Sequence, residues 1–130
     1  MAEPKAAEFT VGGLVFALIP FLKEGEIHID YDELLKRAKK LRASGSKGCR
    51  FIRDHLEEIP AEFRWEFDLI FPSYRRPGFP SRLQAYFAEF FCGNSGTWVQ
   101  AWRPLRSDYF DYGGHDRLVR RVRMKKGGNK

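Results

Sequence analysis

The residues best equipped for chemistry in this sequence are its arginines. Residues 117–130 carry seven basic side chains and no acidic one. Arg117, Arg120, Arg121, Arg123, Lys125 and Lys126 follow one another closely there. Such a row neutralises phosphates and releases their counterions, the charge term that anchors most nucleic-acid binding. A second group lies at residues 74–79 (YRRPGF), where Arg75 and Arg76 sit between the rings of Tyr74 and Phe79. A guanidinium fork pairs phosphate oxygens, and an aromatic ring stacks on an unpaired base. Arg82 and Arg103 extend the set. The candidate nucleic-acid contacts are therefore Arg75, Arg76, Arg82, Arg103, Arg117, Arg120, Arg121, Arg123, Lys125 and Lys126. Tyr74, Phe79, Tyr109 and Tyr112 are the candidate stacking or partner-contact rings. Plainer readings of the same residues are a solubilising tail, protection of an edge strand, or a dock for an acidic protein.

Other constellations are less specific. Asp108, Asp111, His115 and Asp116 crowd one segment with Tyr109, Tyr112, Gly113 and Gly114. They have the groups for acid–base or divalent-ion chemistry, but not the carboxylate ladder ending in Glu of a calcium-binding loop. They read best as a polar surface loop. Residues 44–48 (SGSKG) place small residues and Lys47 before a helix start, where backbone amides can cradle an anion. The GxxxxGK pattern is missing, so an interhelix turn with Ser46 as N-cap is the stronger reading. Cys49 and Cys92 are too few for a disulfide scaffold. With His28, His55 and His115 they are spaced too widely for a structural zinc site. We assign no catalytic residue, no metal ligand and no cofactor from the sequence.

Composition bounds these readings. The chain has 130 residues, 43% hydrophobic and 15% aromatic, which excludes a mainly disordered protein. Its net charge of +6 is uneven: residues 1–65 hold eleven basic and eleven acidic side chains, whereas residues 66–130 hold twelve and six. The apolar stretch 11–22 is too short to cross a membrane as a helix and contains Gly12, Gly13 and Pro20. No small-x-small cleavage site follows it. The expectation is a cytoplasmic protein with no membrane partner.

The elements that must position these residues follow from periodicity. Residues 1–8 read as a disordered leader, 9–124 as a single α+β domain and 125–130 as a flexible basic tail. Residues 9–22 lean towards helix over strand. Residues 26–31 alternate as a short strand. A helix is predicted over 32–41, with Asp30 and Glu33 at capping-box spacing. After the connector 43–48 a second helix is predicted to about Glu58, closed by Pro60. Residues 62–71 alternate as a strand with one aromatic face. Residues 72–80 read as a loop. Ser81 and Gln84 have capping-box spacing, and Leu83, Tyr86, Phe87, Phe90 and Phe91 make a broad apolar face, so a helix is predicted over 81–91. Residues 97–103 read as a strand with Trp98 and Trp102 on one side, 107–116 as a loop and 118–124 as a last strand. The expected fold is α+β: a small antiparallel or mixed sheet of about four strands, with three or four helices packed mainly on one face. The expected function is a small non-enzymatic protein that binds RNA or a ribonucleoprotein through its C-terminal basic strand and the arginine loop. The alternative is an interaction module, an adaptor or inhibitor, that docks an acidic protein.

Overall fold

The computed structural model describes residues 7–76, 86–104, 112–113 and 115–122. β1 (Ala7–Val11) and β2 (Leu14–Ile19) form an antiparallel hairpin with Val11 opposite Leu14. Its two-residue loop is Gly12 and Gly13, with φ of +54° and +80°. Two successive positive φ values make a type I′ turn, whose twist matches that of the strands it joins. This corrects the helix expected over 9–22. The paired glycines are the turn signal, and Thr10, Val11 and Val15 beside them favour extended backbone.

β3 (His28–Ile29) pairs with β7 (Tyr112–Gly113) in a separate two-stranded ribbon. β4 (Asp68–Arg75), β5 (Tyr86–Cys92), β6 (Trp98–Pro104) and β8 (Asp116–Arg121) join the hairpin in one mixed sheet of order β1-β2-β8-β4-β5-β6. Among the described residues, β4 and β8 are the only parallel neighbours. The fold is α+β, but the expected architecture is overturned. The main sheet has six strands, and the described residues contain two α-helices, one on each face.

The helix expected over 81–91 is the largest single correction. Residues 86–92 are the strand β5; residues 81–85 lie outside the described residues. Phe87 is buried on one face of the sheet, and Ala88 and Phe90 are buried on the other. A strand covered on both faces is apolar at successive positions, so it loses the period-two signature that marks a half-exposed strand.

α1 (Tyr31–Lys40) matches its expectation. Asp30 caps it, accepting from the Glu33 amide at 2.9 Å. Tyr31, Leu34 and Ala38 pack on Ile70, Phe87 and Leu118. α2 (Ser46–Arg53) ends five residues before the expected Glu58 and passes into a 3-10 turn over Leu56–Glu58. Its Cys49 and Ile52 cover the opposite face, against Phe16, Leu69, Phe71 and Val119. Full burial of one such aliphatic or aromatic side chain stabilises by roughly 1.5–3 kcal/mol.

The strand expected over 62–71 starts later, at Asp68, because Ala61–Phe63 form a second 3-10 turn. It also runs further, through Pro72 to Arg75. Phe71 lies opposite Ala88 and Arg75 opposite Phe87, so three residues of β4 bulge between consecutive positions of β5. Pro72 has no amide to give to the ladder and fits such a bulge. Among the described residues no helix is long and apolar enough to cross a membrane.

Candidate nucleic-acid interface

The structure divides the candidate arginines by role. Arg103, on β6, is not a surface contact. Its side chain is 13% exposed and forms a bidentate pair with Asp116, both contacts at 2.9 Å. It also donates to Glu89 at 2.7 and 3.2 Å and lies 3.6 Å from Asp68. Two strands separate β6 from β8. Burial works against the Arg103 charge, but its hydrogen bonds to Asp116 and Glu89 outweigh it and hold the guanidinium protonated. Burial, then repulsion from Asp116 and Glu89, pushes the Asp68 carboxyl from 3.8 up to about 6. The cluster is a buried structural lock, and Arg103 leaves the candidate interface.

β8 is not a uniform basic strip either. Arg117 lies 4.8 Å from the Phe67 ring centre and donates to the Asp116 carbonyl at 2.9 Å. Burial pulls its pKa down. Arg120 shares a face with Leu118 and donates to the Leu41 carbonyl at the end of α1, at 3.3 Å. Arg121 points to the other face and is exposed, as are Arg75 and Arg76. Tyr74 is half-buried, edge-on to Trp102 at 5.3 Å. The Tyr112 backbone pairs with Ile29. Phe79, Arg82, Tyr109, Arg123, Lys125 and Lys126 lie outside the described residues, as do Asp108 and Asp111.

Several other groups singled out in the sequence lie among the described residues. Asp116, read as part of a polar surface loop, is a buried partner of Arg103. His115 is exposed, its Nδ1 3.3 Å from the Glu66 carbonyl oxygen. Burial pushes the Cys49 thiol up to about 12, far from a nucleophile's range. The His55 ring meets Glu58 at 2.6 Å, and Glu58 accepts from the Gly12 amide at 2.9 Å, tying the hairpin turn to the 3-10 turn that follows α2.

Sequence reading missed the largest cationic feature. Residues 34–53 hold eight basic side chains and no acidic one. Averaging over residues 1–65 hid this run behind the acids that flank it. The fold brings it to the end of the sheet where β4 and β8 finish. The Ser44 amide donates to the Val119 carbonyl at 2.7 Å. A side chain at Gly45 would meet Ser73 Oγ at 2.8 Å, so the α1–α2 connector lies close against β4. Among the described residues, parts of three acid-free segments, 34–53, 69–76 and 117–122, therefore approach one another at one end. Their exposed cations include Lys39, Lys40, Arg42, Lys47, Arg50, Arg75, Arg76 and Arg121. No protein-family model, curated protein or solved structure matches the chain.

Proposed function

We propose that this protein binds RNA through the basic end formed by the close of α1, the start of α2 and the ends of β4 and β8. One observation carries the reading: the described parts of three sequence-distant acid-free segments converge there, and Lys39, Lys40, Arg42, Lys47, Arg50, Arg75 and Arg121 are exposed among them, while Arg37 is held by Glu26 and Glu33. A clustered field of one sign steers a polyanion and meets its phosphates, whereas the same charges dispersed would serve solubility. The interface differs from the one legible in the sequence. Arg103 and Arg120 hold the fold, and Lys39, Lys40 and Arg42 take their place.

The test is filter binding of a labelled RNA by the wild type and by a Lys39→Glu/Lys40→Glu/Arg42→Glu variant, with circular dichroism as the check on folding. The reading expects the variant to stay folded and lose at least tenfold in affinity. A folded variant that binds as well as the wild type contradicts it. Reversing Arg120, Arg121 and Arg123 together is a poorer test, since Arg120 also ties β8 to the end of α1.

A further inference from the structure

Beside the basic end, on the sheet face that carries α2, a row of rings lies partly open. Tyr74 on β4, Tyr86 on β5 and Trp102 on β6 are each half-buried. Tyr74 and Trp102 meet edge to face, with ring centres 5.3 Å apart and planes at 75°. Trp102 is the register partner of Ala88, and Tyr86 stands two residues along the same strand. Tyr86 is thus the diagonal neighbour of Trp102 on one face. Guanidinium groups lie over these rings. Arg50 of α2 is 5.7 Å from the Tyr74 ring centre, and Arg76 is 6.0 Å from that of Tyr86. Trp98, on the same face of β6, provides the contrast: it is 6% exposed and belongs to the core.

Rings and arginines in alternation suit one kind of polyanion. Stacking needs a base whose face is open, and in a duplex both faces are taken by neighbouring pairs. The row is continuous with the basic end, because Arg50 lies within the acid-free run of α1 and α2 and the exposed Arg75 directly follows Tyr74. We infer that Tyr74, Tyr86 and Trp102 form a stacking subsite for the unpaired bases of single-stranded RNA, so that the protein selects single strands over duplexes. The inference rests on the RNA-binding reading above: the basic end holds the phosphates, and the rings choose the strand.

The test measures fluorescence anisotropy of a labelled oligouridylate and of an RNA duplex of equal length, with the full chain at one salt concentration. The wild type binds the single strand more tightly. Tyr86→Ala and Trp102→Leu each weaken the single strand about tenfold, the loss of roughly one stacked base, and leave the duplex unchanged. Because Trp102 also packs on the edge of the core, a second readout leaves it in place. In a Trp65→Phe protein, with Trp98 buried and Trp102 half-open, oligouridylate quenches the tryptophan emission and duplex does not. Equal binding of the two RNAs, with no quenching, overturns the stacking subsite and leaves the basic end standing. No binding of either RNA at low salt overturns both.

Discussion

Arg42 occupies a position that glycine usually takes. It has φ of +58°, directly after the last turn of α1. The Ala43 amide donates to Ala38 and the Arg42 amide to Lys39, the hydrogen-bond pair of a Schellman ending. A side chain in this conformation costs about 1 kcal/mol relative to glycine. Arg42→Gly should therefore raise unfolding stability by about 1 kcal/mol in a urea melt and lower RNA affinity at the same time. Arg103 behaves in the opposite way. Arg103→Met leaves Asp116 and Glu89 without their shared cation, and we expect a loss of about 3–5 kcal/mol by denaturant titration. No periodicity rule exposes this lock. Its members come from four strands, and Arg103 is separated by 13 and 14 positions from the two carboxylates it bonds. Asp68 supplies a pH signature. Its carboxyl rises from 3.8 to about 6 on folding, so the stability it allows is full below about pH 4 and lost as pH climbs through 6. Asp68→Asn should stabilise by about 1 kcal/mol at pH 7.5, after discounting for its partly exposed carboxylate, and by nothing near pH 3.5.

At the scale of elements, the two glycines of the first hairpin differ in what they permit. Both have positive φ, but a side chain at Gly12 would meet Phe51 and His55 within 3 Å, whereas Gly13 faces open space. Gly13→Ala should cost about 1 kcal/mol, the backbone penalty alone. Gly12→Ala should cost about 2–3 kcal/mol, since the hairpin turn must also move off α2. Thermal unfolding of the two variants checks the difference. α1 was legible from its cap and its apolar spacing, because one side of it faces solvent and keeps the 3.6-residue pattern. The hairpin is hard to see in the sequence because Gly12 and Gly13 interrupt one continuous apolar run, and only the pairing of Val11 with Leu14 shows them to be the turn between two strands. β5 was obscured by burial on both faces, which removes the period-two pattern from Phe87, Ala88 and Phe90. The β4 bulge at Pro72 was hidden for a related reason: proline marks the end of regular pairing, and the strand resumes after it.

Across the whole molecule, one end gathers charge that the sequence distributes over three segments. The tail at 117–130 was visible as a basic run, as was the Arg75–Arg76 pair. The run at 34–53 is not distinctive in the sequence, since its lysines and arginines fit the exposed side of an ordinary amphipathic helix. What the sequence lacked was the connection: the Ser44–Val119 and Arg120–Leu41 hydrogen bonds that set the α1–α2 connector against β8. The candidate site is thus a product of topology, since contacts between distant segments bring its residues to one end. The most direct measurement is the slope of log affinity for single-stranded RNA against log salt concentration, for the wild type and for Lys39→Glu/Lys40→Glu/Arg42→Glu. Binding through the basic end predicts a steep negative slope in the wild type. Three lost phosphate contacts make it shallower by about 2 in the variant. An affinity independent of salt, or a slope that the three reversals leave unchanged, would contradict the account.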